Sequence, residues 1–195
     1  MKKSNKIIGI GILVAVMLLL AVAVIYALNA ENTNQFHPNR TGLGRMLHER
    51  VMDMDAYINY PRTPEEVMNM QADILMLLYG DFIVDEEMFA DIIRQQRLLF
   101  SDEILELNSF DSQYSNFLHY LEVLRSDDIR AISTDVLPLE QEENFVEARV
   151  IRSFSNLGTV YWIYHLERSD INSDWRISRW TVANENFEPM WLELE

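Results

Sequence analysis

Along the chain the spacing of apolar and polar positions changes twice, and each change marks a different kind of element. Ile7–Leu28 is an apolar run of 22 residues without a charge. As a helix rising ~1.5 Å per residue it spans ~33 Å, enough to cross a ~30 Å hydrocarbon core. A helix satisfies its own backbone groups in lipid, so the run reads as a transmembrane anchor. Residues 29–59 read as a spacer. Its first part, Asn29–Gly44, is polar and broken by Pro38, Gly42 and Gly44, and Arg45–Asp55 carries a short amphipathic helix with Met46, Leu47, Val51 and Met54 on one side. A folded domain is expected over residues 60–195, opening on helical spacing. Thr63-Pro64-Glu65-Glu66 is a capping box with proline at the first helical position. Val67, Met70, Ile74, Leu77 and Leu78 follow, with Gly80 as the C′ residue. A second helix starts at Asp85 and buries Met88, Phe89, Ile92 and Ile93. Ser101–Leu107 reads as a helical turn. A third helix over Asp111–Arg125 lines up Tyr114, Phe117, Leu118, Leu121 and Leu124.

After Ser126 the period falls from 3.6 to 2. Ile129–Leu137, Phe145–Phe154, Thr159–Ser169 and Asp174–Ala183 read as strands, the last two turns being SNLG and DINS. Helices followed by an antiparallel meander give an α+β fold, about three helices packed on a curved sheet of about four strands.

Register tests that reading, because a slip of one residue exchanges the faces of a strand. Phe154 placed opposite Val160 sets Arg152 against Trp162, Val150 against Tyr164 and Ala148 against Leu166. Ser169 placed opposite Asp174 sets Leu166 against Ile177, Tyr164 against Arg179 and Trp162 against Thr181. Glu167 then falls across from Arg176, an opposite-charge pair that supports the register. The expected core face holds Val146, Ala148, Val150, Phe154, Val160, Trp162, Tyr164, Leu166 and Ile177. The expected outer face holds Glu147, Arg149, His165, Glu167, Arg176 and Ser178, with an apolar end of Ile151, Tyr161, Ile163, Trp180 and Val182.

Charge adds topology. Lys2, Lys3 and Lys6 are the only lysines and precede the apolar run, which holds residues 1–6 in the cytoplasm and exports the rest. The remainder carries 31 acids against 13 arginines, a net −18. Nucleic acid is excluded as a default partner, since phosphate backbones call for a basic face. Cysteine is absent, which excludes disulfides, thiolate metal sites and lipoprotein acylation. A cleaved signal peptide competes with the anchor. Its apolar core usually runs only ~7–15 residues, and Leu28 stands where cleavage after Ala30 needs a small side chain, so the anchor is preferred.

These features together resemble a known layout. The lysine-flanked apolar run, the Tyr-Pro-x-Thr-Pro-Glu-Glu opening at Tyr60–Val67 and the Trp-Arg-Ile-x-x-Trp close within Asp174–Trp180 are similar to a family of small, uncharacterised, membrane-anchored proteins of Gram-positive bacteria. The three helices and long meander resemble the cone-shaped nuclear-transport-factor-2-like (cystatin-like) fold. The resemblance implies a single extracytoplasmic domain of that fold. Its motifs are structural and carry no catalytic residue, and the fold hosts both enzymes and binding modules.

Candidate chemistry centres on two arginines expected on the core face, Arg152 beside Trp162 and Arg179 beside Tyr164. A buried guanidinium needs a partner. That partner is either a helix acid such as Asp91 or Glu103, or a small anionic ligand held bidentately in a pocket lined by Trp162 and Tyr164. The outer apolar patch (Ile151, Tyr161, Ile163, Trp180 and Val182) is a candidate surface for an envelope protein or a second copy. The alternative is a cover from Phe187, Met190, Trp191 and Leu192. No acid falls on the core face of the three stronger strands, the four histidines are scattered, and nucleophile, Walker and dinucleotide signatures are absent, so an enzyme is not expected. Asp170-x-Asn172-x-Asp174 lacks the glycine and final acid of a calcium loop, and the methionines between Met46 and Met76 fit core filling. No metal or cofactor is expected. The expected function is a membrane-anchored extracytoplasmic binding or scaffolding module. The alternatives are an enzyme of the same fold, or an assembly component of a secretion or conjugation apparatus.

Overall fold

The structure, a computed structural model, describes residues 40–55, 58–80, 82, 85–141, 144–169 and 174–190. The apolar run 7–28, residues 29–39 of the spacer, Asp170–Ser173, Trp191 and Leu192 lie outside the described residues. Among the described residues no helix is long and apolar enough to cross a membrane. The described chain is α+β. Helices α1 (Arg40–Met52), α2 (Pro64–Tyr79), α3 (Glu86–Leu98), α4 (Asp102–Leu107) and α5 (Phe110–Ser126) precede strands β1 (Ala131–Val136), β2 (Glu140–Gln141), β3 (Phe145–Phe154), β4 (Gly158–Arg168) and β5 (Trp175–Ala183).

The helices start where their caps dictate. Glu66 N–H donates to Thr63 Oγ1 at 3.2 Å, and Glu66 Oε2 accepts from the backbone N–H of Thr63 and Arg62 at 3.1 and 2.7 Å. Asp85 and Ser109 cap α3 and α5 in the same way, accepting from Met88 and Ser112 N–H. Gly80 works differently from a C′ glycine. Its φ of −97° is open to any residue, but a Cβ there would run into the Met76 carbonyl and the Phe82 ring. The tight approach, not a left-handed turn, calls for glycine. Helix α1 starts at Arg40, five residues earlier than its periodicity suggested. It buries Leu47 and Val51, and Met54 just after it, in the same core as α2 and α3, so packing begins upstream of Tyr60. Met46, expected on that apolar side, is exposed.

Three glutamines run through the helical layer. Gln113 Nε2 donates to Gln96 Oε1 at 2.9 Å, and Gln96 Nε2 reaches Gln71 Oε1 at 3.4 Å. Arg97 Nη1 closes the chain on Gln113 Oε1 at 2.9 Å and on the Asn108 carbonyl at 2.7 Å. All three amides are buried and joined in sequence, which fixes α2, α3 and α5 in one relative register.

The strands are antiparallel in the order β1-β3-β4-β5, with β2 pairing on β3. The β3–β4 turn is tighter than its SNLG sequence suggested. Asn156 takes φ 57°, the chain reverses within Ser155–Leu157, and Phe154 pairs with Gly158, not with Val160. Every pair is therefore offset by two residues: Arg152 meets Val160, Val150 meets Trp162 and Ala148 meets Tyr164. A two-residue offset conserves the faces, and Val146, Ala148, Val150, Val160, Trp162, Tyr164, Leu166 and Ile177 all enter the core.

The β4–β5 hairpin behaves differently. Glu167 pairs with Arg176 and Leu166 with Ile177, in the expected register. A bulge then inserts Ser178, so His165 meets Arg179, Tyr164 meets Trp180 and Trp162 meets Val182. Beyond the bulge the two faces of β5 are exchanged. The Ser178 hydroxyl, released from the ladder, donates to the His165 carbonyl at 3.3 Å or to Glu167 Oε1 at 3.1 Å.

Candidate functional site

Arg152 projects from β3 toward the helices and is 3% exposed. Its guanidinium lies 5.6 Å from the centre of the Tyr79 ring and 5.7 Å from that of Trp162, so two aromatic faces flank it. Tyr79 reaches it because the last turn of α2 packs over the sheet, where Tyr79 also meets Phe117 of α5 and Phe154 of β3. Neither Asp91 nor Glu103 is its partner. Asp91 pairs with Arg94 in its own helix, and among the described residues Arg152 forms no ion pair. Its Nε and Nη2 are buried without a hydrogen-bond partner.

Two neighbours share this condition. Thr134 faces Arg152 across the β1–β3 ladder, and its Oγ1 is buried without a partner; so is Nε1 of Trp162. Nε and Nη2 form one edge of the guanidinium, the fork that receives a carboxylate side-on. The unsatisfied set is an arginine edge, an indole N–H and a hydroxyl. The first two only donate, and a hydroxyl donates as readily as it accepts. The phenol beside them does not supply a negative charge. Burial pushes Tyr79 well above its ordinary value and outweighs the opposing pull of Arg152, so the ring stays neutral. Burying a charge without a partner is costly, so the chemistry that fits this edge is an acceptor-only group, an oxyanion or a carboxylate.

Of the four residues expected to line a ligand pocket, Arg152, Trp162 and Tyr164 share the helix-facing side of the sheet and are buried. Arg179 does not join them: the Ser178 bulge turns it outward, where it is exposed opposite His165. The same bulge brings Trp180 and Val182 to the helix-facing side. Trp180 stacks on Phe100 at 5.4 Å and lies 6.4 Å from Tyr164, extending the aromatic wall. The outer apolar patch is thereby reduced to Ile151, Tyr161 and Ile163. Ile163 is buried, and Phe187 packs edge-on against Tyr161 at 5.5 Å, with Arg149 over the Phe187 ring at 5.7 Å. Residues after β5 fold back, Met190 N–H donating to the Val182 carbonyl at 3.0 Å.

Thr134 and Tyr79 went unnoticed in the sequence. A stricter period-2 reading of β1 puts Thr134 in phase with Val136 on the inner face, which would have found the first. Tyr79 closes the apolar stripe of α2 just before Gly80. On the outer face, burial and the nearby Arg179 push the His165 imidazole below its ordinary value, against the opposite pull of Glu147 and Glu167. Among the described residues no group of three or more His, Asp or Glu side chains is placed to hold a metal ion.

No curated protein and no solved structure matches the chain. Residues 1–180 match the sequence pattern of the family described as Domain of unknown function (DUF6715). The chain belongs to that family.

Proposed function

We propose that this protein is a non-catalytic binding module of nuclear-transport-factor-2-like (cystatin-like) architecture. A membrane anchor at residues 7–28 holds it outside the cell. Its ligand is a small anion or carboxylate taken up between the helices and the sheet. One observation carries the reading: the buried edge of Arg152, flanked by Tyr79 and Trp162, is left without an acceptor alongside Trp162 Nε1 and Thr134 Oγ1. Helices followed by an antiparallel meander support the architecture. The family match begins at residue 1, so the apolar run is part of the family pattern, which supports the anchor.

Thermal unfolding of the protein with chloride, acetate, benzoate and phosphate tests the ligand. At least one of these anions is expected to raise the midpoint of the wild type and to leave Arg152→Met unchanged. No stabilisation by any of them, or equal stabilisation of the variant, overturns the reading. Labelling Leu118→Cys in intact cells with a membrane-impermeant thiol reagent tests the topology, because the chain has no other thiol.

A further inference from the structure

Strand β5 lies at an edge of the sheet, and its free side is closed near both ends. Near its start Ile177 pairs with the link between α3 and α4. Its N–H donates to the Leu99 carbonyl at 2.8 Å, and its carbonyl accepts from Ser101 N–H at 2.9 Å. Near its end the chain turns back along the strand. Asn184 N–H donates to the Glu188 carbonyl and Met190 N–H to the Val182 carbonyl, each at 3.0 Å, around an antiparallel bridge between Ala183 and Pro189. Backbone groups point to alternate sides along a strand. Val182 and Asn184 bond outward, so Trp180 also presents its N–H and carbonyl to the free side. Among the described residues no backbone group meets them there. An open rung of this kind is a template for another strand.

We infer that Trp191–Glu193 fill this rung as the continuation of the returning chain, and so close the β5 edge to any other strand. The described residues end at Met190, opposite Val182 and heading toward Ile177. The register of the Ala183–Pro189 bridge, carried forward, sets Trp191 opposite Thr181, Leu192 opposite Trp180 and Glu193 opposite Arg179. Leu192 and Trp180 then exchange the two missing backbone bonds. The side chains agree with that register. Met190 packs against the core, on the helix-facing side with Val182. Alternation brings Leu192 to the same side beside Trp180 and sends Trp191 and Glu193 outward. Glu193 thereby stands across from Arg179, which is exposed and forms no ion pair among the described residues. Trp191 falls on the rung of Thr181 and Ile163, at the end of the outer apolar patch. A second copy or an extended peptide would use the same Trp180 groups. A segment already attached beside the edge has a far higher effective concentration there.

Hydrogen exchange and a cysteine pair test the inference on the full chain in detergent micelles. With tryptophan-selective isotope labelling, the Trp180 amide is expected to be protected. In a chain stopped after Met190 it is expected to exchange at least about tenfold faster. Trp162, on the interior strand β4, should stay protected in both chains, which shows that the shortened chain folds. Equal exchange at Trp180 in the two chains overturns the inference. If the shortened chain loses the Trp162 protection, the cysteine pair decides alone. Cysteine is absent, so Arg179→Cys with Glu193→Cys supplies the only two thiols. They sit on a non-hydrogen-bonded rung, where Cα atoms ~4.5 Å apart suit a disulfide. Mild oxidation is expected to link them within one chain. Linkage between chains identifies a second copy as the occupant, and absence of linkage leaves the rung open; either result overturns the inference. Arg179→Cys with Leu192→Cys, whose side chains point to opposite faces, should not link, and equal linkage of that pair overturns the register.

Discussion

The Tyr60 hydroxyl donates a 2.6 Å hydrogen bond to the Trp175 carbonyl, joining residues 115 apart in sequence. Arg176 lies 4.2 Å over the Tyr60 ring and donates to the Leu98 carbonyl at the end of α3. Asp174 accepts from Arg62 at 3.3 Å and from Arg176 at 3.5 Å. The segment leading into α2 is thus latched to the last strand. Tyr60–Val67 and Asp174–Trp180 are the two halves of this latch. Tyr60→Phe keeps the ring and leaves a buried carbonyl unpaired, so it is expected to cost about 1–3 kcal/mol. Urea denaturation checks this: the midpoint falls at an unchanged slope if the effect is on the native state alone.

Alkaline pH acts on the same latch. Burial pushes the Tyr60, Tyr79 and Tyr120 phenols above their ordinary value. Below about pH 10 both folded and unfolded chains hold these protons; above it the unfolded chain releases them and the folded one retains them. The folded state then binds more protons, and stability falls as pH rises from about 10. The only lysines are Lys2, Lys3 and Lys6, ahead of the apolar run, so tyrosines dominate this range in the domain. Denaturation midpoints from pH 8 to 11 should decline for the wild type and decline less steeply for Tyr60→Phe.

The sequence made the faces of β3 and β4 legible because side-chain alternation survives any even offset. A turn misjudged by two residues left Val150, Trp162 and Tyr164 on the correct side. It could not reveal the bulge at Ser178. An extra residue inside an alternating run looks like continued alternation until both partner strands are known. That is why Arg179 was expected inside and Trp180 and Val182 outside, the reverse of their positions. The α2 capping box was legible because it is local, closed within four residues. The orphaned edge of Arg152 was legible only in part. Its face followed from the strand period, but the absence of a helix acid beside it depends on how three helices pack, and periodicity carries none of that.

Deleting Ser178 tests the bulge directly. Without the extra residue Arg179 follows Ile177 in unbroken alternation, opposite His165, so Arg179 stays outside and Trp180 and Val182 stay on the helix-facing side. The deletion then loses little beyond the hydroxyl contact with His165 or Glu167, and Ser178→Ala, which keeps the bulge, loses that contact alone; each is expected to cost about 1 kcal/mol in urea denaturation. A deletion variant destabilised by about 3–5 kcal/mol, the cost of an uncompensated buried charge, would show that Arg179 had turned inward and that Ser178 is not the residue that sets the faces of β5.

The glutamine chain predicts a loss that depends on context. Gln96→Leu removes the amide in the middle and leaves Gln113 Nε2 and Gln71 Oε1 buried without their partner. The expected cost is about 1–3 kcal/mol for each group left unpaired. Adding Gln71→Leu and Gln113→Leu removes the orphans, so the triple variant should recover part of that loss. A double-mutant cycle in urea denaturation measures the recovery as coupling.

Arg152 gives the prediction that most sharply separates a ligand site from a structural residue. Its guanidinium is buried, without a hydrogen-bond partner on one edge among the described residues, and flanked by the faces of Tyr79 and Trp162. Cation–π contacts of this kind contribute about 0.5–2 kcal/mol. Removing charge from a core in favour of apolar packing often stabilises a protein by about 1–4 kcal/mol, even when that charge was paired. Arg152→Met should therefore raise the urea midpoint in an anion-poor buffer, where most core substitutions lower it. Added ligand reverses the order, because it stabilises only the protein that binds it, by an amount that grows with the logarithm of its concentration. Midpoints for wild type and Arg152→Met should cross as the stabilising anion is titrated in. A structural arginine predicts a lower midpoint for the variant at every concentration.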